Sequence, residues 1–254
     1  MKLNILVQEK TWEEDGYEQF DDLDLNLYNI EYAKCIPFSD DFVDKVQTWP
    51  DVVFGSGRFV DICRNKLFPT FLSFGPKPVF AYKGCDWLNE NCEITTIGDL
   101  KKYKIFGPIF IKPYTEKLFT GQVVYSRDDL EKIQFVQRNK PLDDEFIIKT
   151  SAKKVGQEAR FFIVCGCVVA QSYYGRGKTD FPEVSKEHIR LVQNLVDGSA
   201  PPDIAFVIDV CFEPEFKIVE LNNFNSSGFY GCNLKHIVMA LRLLKEIRKI
   251  NERD

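Results

Sequence analysis

In the first third of the chain, apolar residues come in short runs separated by polar turns. Runs at 3–7, 30–36, 51–54 and 78–82 predict strands. Residues 59–67 predict a helix, which Pro69 would interrupt. Alternation of this kind predicts a small α/β domain. The acidic stretch 13–24 reads as a solvated loop or helix.

From about residue 105 the strands become closely spaced, at 106–112, 121–126, 146–150, 158–164 and 168–174. One helix interrupts them. Ser126 with Asp129 makes a capping box, followed by Leu130, Ile133 and Val136 on one face. Cys165-Gly166-Cys167 supplies a tight connection, so 158–174 predicts an antiparallel hairpin. A second capped helix is predicted from Ser185 to just before Gly198. Strands at 204–210 and 216–221 follow, joined by a turn at Glu213-Pro214-Glu215. An amphipathic helix over 233–250 closes the chain, with Ile237, Leu241, Leu244 and Ile247 at helical spacing and Lys and Arg opposite. The fold class expected is α/β (α+β), as an α/β domain over 1–104 and a second domain over 105–254.

Composition narrows the functional classes. With 254 residues, 44% apolar and 28% charged, the chain can bury a sizeable core. A net charge of −5 gives no general attraction to nucleic acid or to an anionic membrane. The first eight residues lack a signal-peptide layout, and no apolar run approaches the roughly 20 residues that span a bilayer. The eight cysteines include no C-x-x-C pair and there are two histidines, which argues against a zinc site and against a disulfide framework. The expectation is a cytoplasmic protein with reduced thiols and no membrane partner.

Three groups of residues carry candidate chemistry. Asp209 ends one apolar run, and Glu220 and Asn222 end the next. Strand alternation puts Glu220 and Asn222 on one face, and hairpin pairing can bring Asp209 beside them. The two carboxylates are either exposed strand-end charges or ligands of a magnesium ion, which takes hard oxygen donors. Lys112 ends the run Phe110-Ile111 and is placed to meet phosphate; Lys117, Thr120 and Gly121 follow in a loop that can close over a nucleotide or simply be a solvated hairpin. Glu158 and Arg160 share a strand face, as a salt bridge or as ligand contacts, and Arg176 lies between two glycines, where a guanidinium suits a phosphate or carboxylate. Gly55-Ser56-Gly57-Arg58, directly after a strand, is a plain turn or an acceptor or phosphate contact.

The order of these motifs resembles the ATP-grasp superfamily, in particular its compact phage and bacterial members related to the ribosomal-protein glutamate ligase (RimK-like) group. The resemblance runs from about residue 106 to 244 through Phe110-Ile-Lys-Pro, Lys117-Leu-Phe-Thr-Gly, Glu158-Ala-Arg-Phe-Phe-Ile-Val, Phe206-Val-Ile-Asp and Val219-Glu-Leu-Asn. It implies a preATP-grasp α/β domain followed by an ATP-grasp domain whose two sheets clasp the nucleotide. It further implies Lys112 and Lys117 on ATP phosphate and adenine against the backbone near residues 147–150, with Ile148, Lys149, Thr150 and Glu158 contacting the nucleotide. Arg160 and Arg176 would stabilise transferred phosphoryl or acyl-phosphate charge, and Asp209, Glu220 and Asn222 would hold Mg2+, or Mn2+ in its place. The segment 113–120 has no glycine, unlike the longer phosphate loop of the peptide-type ligases.

The activity so implied is ATP-dependent joining of a carboxylate to an amine through an acyl phosphate. A phosphotransferase, or a nucleotide-binding protein of the same fold without turnover, remains the alternative. Small-molecule or peptide carboxylates and amines, a protein terminus and a modified nucleobase are all open as substrates, and the sequence leaves the oligomeric state open. Cys165 and Cys167 have no nearby His to activate them, so no acyl-enzyme is expected.

Overall fold

The computed structural model describes residues 2–9, 17–34, 40–67, 87–89, 91–114, 119, 121–133, 142–153, 155–174 and 182–251. The expected strand at 78–82, Val136, and the loop residues Lys117, Thr120 and Arg176 lie outside them.

Three short strands, β1 (Leu3–Gln8), β2 (Tyr28–Ala33) and β3 (Val52–Phe54), form a parallel sheet in the order β2-β1-β3. The helix α1 (Gly57–Lys66) follows β3 and starts on Ser56, whose hydroxyl accepts the amide of Phe59. The helix packs Phe59, Val60 and Cys63 against Leu6 and Val53 on one face of this sheet.

The second half of the chain supplies β8 (Glu158–Val164), β9 (Cys167–Tyr174), α4 (Lys186–Asp197), β10 (Ala205–Cys211), β11 (Lys217–Asn222) and α5 (Leu234–Asn251). Its four strands form an antiparallel sheet in the order β11-β10-β8-β9. The β8–β9 hairpin turns at Cys165 and Gly166 with φ of 51° and 75°, the left-handed pair a two-residue turn needs. Along β10 and β8 one face is apolar at Ala205, Val207, Phe162 and Val164. That half is covered by Ile237, Val238 and Leu241 of α5, and by Leu3, Ile5 and Phe54 of the parallel sheet.

This shared core joins Met1–Asp86 with Gly156–Asp254 as one compact unit, while Trp87–Val155 forms another. The compact units thus do not follow a division at 104/105. The chain leaves the first unit, builds the second and returns. Two further details differ from the pattern-based expectation. In the acidic stretch, the 3-10 helix Tyr17–Asp22 buries Tyr17 and Phe20 against Phe229 rather than lying in solvent. On α5, Ile247 is 53% exposed, while Leu234 and Val238 join the expected Ile237, Leu241 and Leu244 in the core.

The unit Trp87–Val155 is an antiparallel sheet in the order β4-β7-β5-β6, made of β4 (Glu93–Thr96), β7 (Phe146–Ser151), β5 (Ile109–Pro113) and β6 (Gln122–Val124). Its helices are α2 (Ile97–Lys102) and α3 (Arg127–Glu131), and the capping box of Ser126 and Asp129 starts the latter. Ile111, Ile147 and Val124 pack on one face against Ile97, Leu100 and Leu130 of the helices. Among the described residues no helix is long and apolar enough to cross a membrane.

Candidate active site

The face of the β8–β11 sheet that is apolar under α5 becomes polar two residues further along. Register places Glu220, Asp209, Arg160 and Ser172 opposite one another across β11, β10, β8 and β9. Directly paired residues point to the same side, so these four form one row. Asn222 pairs with Val207 and joins them on the same face.

The contacts within the row are direct. Arg160 meets Asp209 through two parallel hydrogen bonds, Nε to Oδ1 at 2.9 Å and Nη2 to Oδ2 at 2.7 Å. Both are deep in the protein, Arg160 at 6% exposure and Asp209 at 0%. A buried carboxylate survives only with such a partner. Asn222 donates through Nδ2 to Asp209 Oδ2 at 2.7 Å and to Glu220 Oε1 at 3.0 Å. The expected trio therefore converges, and it carries Arg160 as a fourth member.

These groups fit a magnesium ion in kind. The polarised NH2 of Asn222 bridges two carboxylate oxygens, so positive charge is what the two acids are arranged to receive. Which end of the amide faces them follows from this hydrogen bonding. Among the described residues no three His, Cys, Asp and Glu side chains make a metal group by themselves. A cation here would take the place of that NH2 and rest on carboxylate oxygens, with the Asn222 amide turned to present its oxygen and phosphate and water completing the shell.

Burial works against thiolate formation at three cysteines of this unit. Cys232 lies beneath Arg160 and Asp209, and burial pushes its pKa far up. Burial also raises Cys211, helped by the charge of Glu158, and Cys165, helped by Cys167. Glu158 stands opposite Cys211 on the polar part of the sheet, and Lys217 pairs with Cys211 from the other side.

In the other unit, register places Lys112 directly opposite Ile148, and Thr150 follows two residues along β7 on the same face. Lys149 points to the opposite face, where its ammonium meets Glu93 at 2.7 Å and holds that carboxyl below its usual range. Of residues 148–150, Lys149 thus turns its side chain away from the face that carries Ile148 and Thr150.

At 55–58 the structure gives the glycine a packing reason. A Cβ on Gly55 would lie 2.4 Å from Phe59 Cδ1 and 2.8 Å from Gln8 Cβ. Ser56 donates its amide to Gln8 Oε1 at 2.7 Å, and the Gly55 amide donates to the carbonyl of Asn225 at 3.0 Å. Gly55→Ala is expected to cost about 1–3 kcal/mol of stability by overpacking, measurable as a lower denaturant midpoint.

A family model described as the ATP-grasp domain of R2K clade family 3 matches residues 74–241, about two thirds of the chain. The chain belongs to the ATP-grasp family. The fold agrees: a D-alanine–D-alanine ligase from Bacillus anthracis superposes with a TM-score of 0.57 at 15% identity, over 99% of this chain and 100% of that one. An N5-carboxyaminoimidazole synthetase from Staphylococcus aureus gives 0.57 at 9% identity, over 91% of this chain and 72% of that one. An ATP-grasp RimK domain protein from Sphaerobacter thermophilus gives 0.50 at 8% identity, over 94% and 96%. No curated protein matches the sequence.

Several residues around this row carry no obvious sequence signal. Ser172 packs under Gly231, where a Cβ would come within 2.7 Å of its Oγ. The carbonyl of Gly228 accepts Arg160 Nη1 at 3.0 Å, and the ring of Tyr230 lies over the guanidinium, 5.0 Å from its central carbon.

Proposed function

We propose that this ATP-grasp protein is a carboxylate–amine ligase. ATP would phosphorylate the carboxylate to an acyl phosphate, and the amine would displace phosphate to leave an amide, ADP and phosphate. The observation that carries the reading is the row of Asp209, Glu220 and Asn222 on one sheet face in a chain of this family. Mg2+, or Mn2+, held by these three would supply charge neutralisation on the phosphoryl oxygens.

The protein's own residues do the rest by position and charge. Arg160 holds the Asp209 carboxylate oriented through its two hydrogen bonds. Glu220 is partly exposed and turns its carboxylate toward the same place. Lys112 contacts phosphate as a point charge, and Ile148 and Thr150 line the base. Lys149 contributes through its backbone, since its side chain is engaged with Glu93. Glu158 contacts the nucleotide, while Lys117 covers phosphate and Arg176 meets the transferred group. The substrates are small-molecule or peptide carboxylates and amines, and the setting is cytoplasmic.

The test is ADP release from MgATP with panels of carboxylates and amines. Release that requires both acceptors, with formation of an amide, is the expected result; phosphorylation of one acceptor without amide formation would overturn ligation in favour of phosphoryl transfer. Lys112→Ala is expected to weaken ATP binding by about tenfold or more, the worth of a hydrogen bond to a charged group, and Lys117→Ala to do less. Calorimetry showing wild-type ATP affinity in Lys112→Ala would move the phosphate site elsewhere.

A further inference from the structure

Tyr230 is held in place from three sides. Its φ of 49° is left-handed, a conformation uncommon for a bulky residue. Gln19 clasps the segment around it, donating through Nε2 to the carbonyl of Tyr230 at 3.3 Å and accepting the Leu234 amide on Oε1 at 3.1 Å. Phe229, next to it, packs against Tyr17 and Phe20 at ring separations of 5.1 and 5.6 Å. Gly231, on its other side, sits against Ser172. So many constraints on one strained residue have a consequence at Arg160, whose guanidinium the tyrosine ring covers while Gly228, from the same segment, accepts its Nη1.

We propose that Tyr230 is a positioning residue for the cation site: it locks Arg160 into its two-point pairing with Asp209, and so fixes the carboxylate that a divalent cation would use. The electron-rich ring face favours the guanidinium where it stands and excludes water from its outer side. Without the ring Arg160 gains freedom to turn, and Asp209 loses the partner that orients it. The 3-10 helix Tyr17–Asp22 acts at one remove through Gln19, which ties an N-terminal segment to the chemistry of the second half of the chain. The role assigned to Tyr230 rests on the ligase reading only where it concerns the cation.

Two variants separate the ring from the backbone. Tyr230→Asn keeps a residue that tolerates the left-handed conformation but removes the ring, and Tyr230→Phe keeps the ring. Hydrogen exchange of the Arg160 Nε–H, followed by nuclear magnetic resonance on cation-free protein, is expected to be slow in the wild type and in Tyr230→Phe and several-fold faster in Tyr230→Asn. Mn2+ binding in the presence of a non-hydrolysable ATP analogue is expected to weaken about 2- to 30-fold in Tyr230→Asn, the range of one cation–π contact, with Tyr230→Phe unchanged. Equal Nε–H exchange in all three folded proteins would overturn the positioning role. A wild type that binds no Mn2+ would instead defeat the ligase reading, and the exchange comparison would still decide the part played by Tyr230.

Discussion

Asp209→Ala is expected to be among the most destabilising single substitutions in this protein. The carboxylate is at 0% exposure and accepts two hydrogen bonds from a guanidinium that is itself buried. Removing it leaves Arg160 charged, desolvated and without its counter-ion, a situation that costs about 3–5 kcal/mol. For a chain of this size that lowers the melting temperature on the order of 10 °C. Asp209→Asn retains the shape but not the charge and is expected to fall in the same direction by less. The control is the double replacement Arg160→Met with Asp209→Leu, which removes both charges and is expected to recover most of the stability while losing function. A single variant as stable as wild type in thermal denaturation would mean that the pair contributes nothing to the fold.

What the sequence could and could not disclose follows from the range of each interaction. Helix α4 was legible at both ends, Ser185 and Gly198, because caps are local chemistry. The β8–β9 hairpin was legible from its turn. Its register was not: counting back from Val164 opposite Cys167, Arg160 would face Gln171, but a shift between Phe162 and Ile163 brings Ser172 there instead. Glu220 and Asn222 could be placed on one face by alternation alone. The bond between Arg160 and Asp209 could not, since 49 residues separate them and the pairing depends on β8 joining β10 on the side away from β11. Strand β4, Glu93-Ile-Thr-Thr, has one strongly apolar residue and sits at the edge of its sheet, so no run announced it. Lys149 is different: alternation on β7 already separates it from Ile148 and Thr150. Gln19 and Tyr230 are 211 residues apart, beyond any local pattern.

Glu220→Gln is expected to give the opposite profile from Asp209→Ala. Glu220 is half-buried, and among its contacts it accepts a hydrogen bond from Asn222, two residues along the same strand. A glutamine can accept that bond through its amide oxygen, and the position is only half-buried, so the expected loss of stability is well below that of Asp209→Ala. What it cannot supply is the negative charge. With Asp209 already paired to Arg160, the formal charge of the row in the wild type resides on Glu220. Removing it takes the row from a net negative charge to none, and a hard divalent cation binds such a site far less well. Loss of one preorganised electrostatic contact typically lowers turnover about 10²- to 10³-fold, and that is the fall expected in magnesium-dependent ADP release by Glu220→Gln. A matched titration of Mn2+ with an ATP analogue should show the same loss without any chemistry taking place. If Glu220→Gln turned over ATP at the wild-type rate with the wild-type cation requirement, the cation would have to be held by other residues, and Asp209 with Arg160 would be left as a structural pair alone.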